Sequence, residues 1–191
     1  KAGVKDFSTN AKTGLDSLKK SFGGITGIIN GAVVGGFVAA AKSAMSYATE
    51  IDRMARLSGE GVEKFQELAA GARMVGIDSG KLADILKDTS DKMGDFLEAD
   101  SGAAIDFFEN IAGGADLTRE SFENLSGSES LQLYYSALEK ANLSQSKMVF
   151  YMEAIGNDAI LLQDVLKNGG ALWKQYAKEA REAGRIMSEE T

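Results

Sequence analysis

Carboxylates are the most abundant side chains in this sequence that could do chemistry. The chain of 191 residues holds 28 Asp and Glu but neither His nor Cys. Two close pairs, Asp88 with Asp91 and Asp95 with Glu98, have the residue types that glycoside hydrolases use as acid and as base or nucleophile. A hydrolase acting on cell-wall glycan is therefore one hypothesis. Solvated carboxylates on a helix surface account for the same pattern and are far more common in an acidic protein.

The missing residue types exclude several kinds of site. A Ser-His-Asp arrangement needs His, a thiol nucleophile needs Cys, and zinc is bound mostly by these two residue types. Asp84, Asp88, Asp91 and Asp95 recur at helical spacing, but the glycine and closing glutamate of a regular calcium loop are absent. We therefore predict no catalytic residue, no cofactor and no metal site, and we expect that the protein is not an enzyme.

The composition predicts an all-α fold. The chain contains no proline, 22 glycines and 44% hydrophobic residues, which fits helices joined by glycine-based stops around a packed core. No stretch alternates apolar and polar residues as a half-buried strand does. The net charge of −7 argues against nucleic acid as a specific partner.

The first part of the chain has the pattern of a long helix or a helical hairpin. Apolar residues recur at steps of three and four, which is typical of a coiled-coil partner. Residues 21–41 then contain no charged residue and are about as long as a membrane-spanning helix. The narrow apolar seam comprises Val4, Phe7, Ala11, Leu15, Leu18 and Phe22.

Small residues form a ridge within this uncharged stretch. Gly23, Gly27, Gly31, Gly35 and Ala39 are four residues apart, so they share one helix face and let another helix backbone approach closely. The whole uncharged stretch contains six glycines. Together they lower its stability as a helix by about 6 kcal/mol relative to alanine, at ~1 kcal/mol each. We therefore expect a packing partner, a membrane or a non-helical state for this stretch, although the asparagine at position 30 counts against membrane insertion.

The remainder of the chain is predicted to be a module of short helices. One apolar stripe ends at Ser58-Gly59, the next runs to a C-cap at Gly76, and Asp78 or Ser79 is expected to begin a third helix. Further breaks are expected at glycines 113–114, 156 and 169–170, and a further helix is expected over residues 131–141. The sequence thus divides into a helical or coiled-coil segment, residues 1–57, and a multi-helix globular module, residues 58–191.

The chain's one tryptophan lies near the end of this module. Trp173, with Lys174 and Tyr176 beside it, could contact a partner or a membrane interface. A tryptophan on such a helix more often packs against its own core.

The stretch from Ser46 to Gly59 resembles the junction found in tape measure proteins of long-tailed phages. There a helix ends in the pattern Ile-Asp-x-x-Ala-x-x-(Thr/Ser)-Gly, which Ile51, Asp52, Ala55, Ser58 and Gly59 match here. A glycine-rich apolar stretch just before this pattern, like residues 21–41 here, is also a recurring feature of that family. The resemblance covers roughly residues 20–190 and includes the segments 62–76, 79–93, 151–162 and 182–188.

The resemblance implies a structural phage protein that sets tail length and then leaves the tube to aid genome delivery. It implies a location in the tail lumen or tip, and in the host cell envelope during delivery. The implied partners are further copies of the chain, tail tube and tail tip proteins, and the host inner membrane. The alternative is a pore-forming or secreted bacterial protein that inserts residues 21–41 into a membrane.

Overall fold

The computed structural model describes residues 31–187, with side chains from residue 43 onward apart from Ala44. This part of the chain is all-helical, which confirms the predicted class. Its 3₁₀ turns are Ala112–Ala115, Arg119–Phe122 and Ala159–Leu162. Its α-helices are α1 (Gly31–Leu57), α2 (Val62–Met74), α3 (Ser79–Ala99), α4 (Ile105–Asn110), α5 (Gly127–Lys140), α6 (Gln145–Ile155) and α7 (Gln163–Glu182).

Helices α1 and α2 each end at a glycine with a left-handed backbone conformation, as the sequence predicts. At the end of α1, Gly59 has φ +70°, its N–H donates to Arg56 O, and Glu60 N–H donates to Ala55 O at 2.9 Å. Gly76 closes α2 in the same way, with φ +81°. At each of these two helix ends, a pair of backbone hydrogen bonds satisfies carbonyl groups that have no partner within the helix.

Side-chain caps begin α3 and α5. The Asp78 carboxylate accepts a hydrogen bond from Lys81 N–H at 2.9 Å and caps α3, which confirms one of the two predicted caps. Helix α5 begins at Gly127, four residues before the predicted start at residue 131. A capping box explains the earlier start: Ser126 and Glu129 bond each other's backbone N–H groups.

The core lies around α3, which packs against α1, α5 and α6. Its Leu82, Ile85 and Leu86 are fully buried. An aromatic cluster continues the core toward the end of α3. In it, Phe107 stacks on Tyr134 with centroids 4.1 Å apart, and the Tyr134 hydroxyl donates to Tyr151 O at 3.0 Å.

Helices α2 and α7 form the most extensive helix pair, and Trp173 lies at its centre. The indole Nε1 donates to Leu68 O at 2.8 Å, and the side chain is 6% exposed. A Cβ on Gly71 would lie 2.3 Å from Trp173 Cδ1, so this close packing requires glycine there. Trp173 therefore packs against its own core, as tryptophans on such helices most often do.

Helix α7 is broken near its start. Residues 167–170 leave helical geometry, and Asn168, Gly169 and Gly170 are all left-handed. The break coincides with the stop predicted from the Asn-Gly-Gly sequence. Gln132 Nε2 donates to Leu166 O at 2.9 Å, which satisfies a carbonyl at the end of the first helical part.

Candidate functional site

The five residues of the family-like junction end α1 and fix it to the module. Ile51 and Ala55 are buried at 1% and 0% exposure, so they anchor the last turns of α1 in the core. Asp52 lies on the outer side, where it pairs with Arg56 at 2.5 Å. The buried Ser58 hydroxyl bonds the carbonyl oxygens of Met54 and Ala55, both at 3.0 Å, and Gly59 turns the chain away. These residues position a helix; they hold no arrangement for catalysis.

Upstream of the junction, the described side chains of α1 are less buried than those of the junction. None of the described side chains between positions 43 and 50 is buried, whereas Ile51, Met54 and Ala55 all are. The apolar stripe nevertheless continues toward the start of α1 through the half-buried Met45 and Ala48. A stripe that extends past its own module offers apolar surface to something else.

The predicted small-residue ridge lies partly within the described chain. Gly31, Gly35 and Ala39 belong to α1, while Gly23 and Gly27 lie outside the described residues. The same limit applies to the apolar seam of residues 4–22 and to the first half of the uncharged stretch 21–41. No helix in the described part of the chain combines the length and the apolarity needed to cross a bilayer.

The carboxylates singled out in the sequence lie along α3. Asp91 pairs with Lys87, and this hydrogen bond is the main cause that raises the pKa of the Lys87 ammonium. Asp84, Asp91 and Asp95 are exposed, and Asp88 is half-buried. Within residues 31–187, no group of three or more acidic side chains is placed to hold a metal ion.

A groove lies between α2, α5 and α7, with a volume of about 410 Å³. Leu68, Leu133 and Trp173 line it. Its two carboxylates already have structural partners: Glu67 pairs with Arg181, and Glu129 caps α5. The groove therefore offers apolar surface and lacks the uncommitted acid pair that glycoside hydrolysis requires.

Sequence reasoning missed the most closely packed contacts of the structure. Gly71 gives no sign in the sequence of its contact with Trp173, which lies about a hundred residues later. The capping box at Ser126 and Glu129, by contrast, has a readable S-x-x-E signature. Compared with protein-family models, with curated proteins and with solved structures, the chain matches none.

Proposed function

We propose that the chain is a structural tape measure component of a phage tail, which sets tail length and associates with further copies of itself. The observation that carries this proposal is the position of α1. Its last two turns are fixed to the module by buried side chains, whereas the described side chains of residues 43–50 are exposed or half-buried and include the apolar Met45 and Ala48. A helix that is anchored at its end and keeps accessible apolar surface farther upstream suits a ruler that associates with other copies.

The geometry of α1 connects sequence length to physical length. A helix advances 1.5 Å per residue, so the 27 residues of α1 correspond to about 40 Å. The stop at Gly59 ends the extended element at a defined residue. In a tube assembled around such helices, the number of residues would fix the number of tube rings. The family-like junction and the upstream glycines support the same function.

The proposal also includes contact between α1 helices of different copies. Gly31, Gly35 and Ala39 keep one side of α1 narrow, and Met45 and Ala48 continue the apolar stripe toward the module. Close approach of two such helices compensates for the weak helix propensity of glycine through packing. Tail tube and tail tip proteins are the other proposed partners, and the tail lumen or tip is the proposed location.

Tail length provides the direct test. Duplicating residues 31–57 in the encoding phage should lengthen its tail by about 40 Å, measured on electron micrographs of purified virions. A silent recoding of the same codons is the matched control and should leave the length unchanged. Tails of unaltered length in virions that carry the duplicated protein would refute the ruler function.

The membrane-inserting alternative is tested on the purified full chain. We expect Gly31→Leu with Gly35→Leu to weaken self-association while leaving anionic liposomes intact. Gly113→Leu with Gly114→Leu, at exposed glycines outside the ridge, is the control. Dye leakage caused by the unaltered chain alone, and abolished by the ridge substitutions, would favour the pore-forming function.

A further inference from the structure

Exposed apolar side chains gather where α1, the end of α2 and α7 meet. Tyr47, Met74 and Leu172 are 43%, 62% and 40% exposed. Tyr176 connects them, because it lines both the cleft bordered by Tyr47 and Met74 and the cleft bordered by Leu172. Single exposed apolar residues are ordinary on a protein surface, but a contiguous group marks an interaction surface.

Two arginines on this surface form no ion pair with a described residue. The one carboxylate of their cleft, Glu179, accepts a hydrogen bond from Gln175 Nε2 at 2.9 Å instead. Arg73 donates to the Tyr47 hydroxyl at 3.5 Å and to Ser79 Oγ at 3.1 Å, and both acceptors are neutral. Arg185 makes no ion pair or hydrogen bond through its side chain within residues 31–187. Tyrosine, methionine and arginine are also the residue types enriched in protein interfaces. We call this surface the arginine face: Tyr47, Arg73, Met74, Leu172, Tyr176 and Arg185.

The chain's negative charge is concentrated elsewhere. Residues 95–123, here called the acidic end, contain eight carboxylates and one basic residue, Arg119, and so carry a net charge of −7. That equals the net charge of the whole chain, so the other residues balance to zero. All eight carboxylates are exposed. Two of them have a basic partner: Asp100 pairs with Arg119, which also donates to the Phe96 carbonyl at 3.1 Å, and Asp116 pairs with Lys140 of α5 at 3.6 Å. The other six make no ion pair with a described residue.

Helix α3 separates the two surfaces. Arg73 contacts Ser79, the first residue of α3, whereas Asp95 and Glu98 lie in its final turns. A helix of 21 residues is about 30 Å long. The acidic end also has an apolar floor, since Phe96 and Phe108 are half-buried and stack with centroids 3.9 Å apart.

We propose that the arginine face of one copy binds the acidic end of a second copy, so that modules associate head to tail. Two guanidinium groups without an ion-pair partner among the described residues meet a surface on which six carboxylates also lack one, and exposed apolar side chains meet half-buried aromatic ones. Because the two contacting surfaces differ, each bound copy presents the same pair of surfaces again, and the association continues with a single polarity. This inference deepens the self-association in the proposed function and uses surfaces outside the α1 ridge.

Complementary charge reversals test the proposal on the purified full chain. The arginine-face variant carries Arg73→Glu and Arg185→Glu, and the acidic-end variant carries Asp95→Lys and Glu98→Lys. We expect the unaltered chain to form salt-sensitive oligomers by sedimentation velocity. Each variant alone should bind at least about tenfold more weakly, since charged contacts of this kind are sensitive to reversal. An equimolar mixture should form pairs again, because the acidic-end variant keeps its arginine face and the arginine-face variant keeps its acidic end.

Two controls separate this contact from other effects. Lys64→Glu with Lys174→Glu makes the same charge change at the groove between α2 and α7 and should leave assembly intact. Met74→Glu should weaken assembly without touching the arginine hydrogen bonds, and circular dichroism verifies folding of every variant. Failure of the tail-length test leaves these expectations unchanged, because they concern association alone.

Three results would overturn the proposal. The first is an unaltered chain that stays monomeric at low salt. The second is assembly that the charge reversals do not weaken and that Gly31→Leu with Gly35→Leu abolishes, which would place self-association in α1 alone. The third is a mixture of the two folded variants that does not assemble.

Discussion

Gln66 binds the backbone of Met187 at both of its polar atoms. The side-chain Nε2 donates to Met187 O, and Met187 N–H donates to Gln66 Oε1, each at 2.9 Å. Gln66 lies in α2 and is only 5% exposed, so both bonds are shielded from water. One side chain therefore holds the segment after α7 against α2, 121 residues away in sequence.

Replacing Gln66 with alanine should release this segment. Two shielded hydrogen bonds are lost, at about 1 kcal/mol each, and the Met187 amide should then exchange with solvent much faster. Hydrogen exchange followed by mass spectrometry measures this on the peptide that contains Met187. Gln175→Ala, which removes only an exposed bond to Glu179, is the control. Unchanged exchange at Met187 in the Gln66 variant would show that other contacts hold the segment.

Gly71→Ala should destabilise the fold by about 1–3 kcal/mol, as overpacked cores do. The added Cβ would overlap the Trp173 ring and displace the indole from Leu68 O. Denaturant unfolding monitored by fluorescence is a direct readout, because Trp173 is the chain's one tryptophan.

The matched control for that substitution is Gly94→Ala in α3. A Cβ there meets nothing within 4 Å, and alanine has the higher helix propensity, so we expect a gain of about 0.5–1 kcal/mol. Equal effects of the two substitutions would contradict the close contact between Gly71 and Trp173.

Gly59→Ala should cost about 1 kcal/mol or more, because its φ of +70° strains any residue with a Cβ. The site is otherwise open, with no atom within 4 Å of the added carbon, so the loss would come from the backbone alone. Gly113→Ala, equally open but without a positive φ, should be neutral or slightly stabilising. Thermal unfolding followed by circular dichroism compares the two. A neutral Gly59→Ala would mean that α1 ends differently.

Stability should fall as the pH rises above about 10, the ordinary pKa of tyrosine. Burial raises the pKa of Tyr135 to about 12 and that of Tyr134 higher still. The unfolded chain therefore loses these phenolic protons before the folded chain does, and unfolding is favoured once the pH passes the unfolded-state value. Below that value both phenols are neutral in either state, and their contribution is fully present.

Denaturant midpoints measured across the alkaline range check this expectation, with tyrosinate absorbance as a second probe. Tyr134→Phe should cost about 1 kcal/mol at neutral pH, because the bond to Tyr151 O is lost. It should also flatten the alkaline decline. If stability declines as steeply in Tyr134→Phe and in Tyr135→Phe as it does in the unaltered chain, both phenols are excluded as the cause.

Local signals in the sequence predicted much of the helical layout. The stops at Gly59 and Gly76, the cap at Asp78 and the break at residues 167–170 each depend on a few neighbouring residues. Chemistry within one or two turns determines them, and they are therefore readable from a single sequence. The predicted start of α5 was four residues too late, because the capping box at Ser126 and Glu129 precedes the apolar stripe.

Contacts between distant residues could not be predicted in the same way. Nothing near Gly71 in the sequence indicates that Trp173 packs on it, and nothing near Gln66 indicates Met187. The arginine face depends likewise on which helix ends meet in space, although the concentration of negative charge in residues 95–123 is visible in the sequence. The apolar period of a helix shows that a residue is buried without showing what buries it.

The pairing of α2 with α7 has a consequence for how the chain folds as it is synthesised. Trp173 and Leu68 are 105 residues apart, so the surface of α2 that α7 covers stays open to solvent until almost the whole module has left the ribosome. Closing so long a loop is a slow step compared with forming the helices themselves. Chains that end before residue 171 would therefore keep α2 uncovered and prone to aggregate. Helix α7, the last described helix of the module, completes its core.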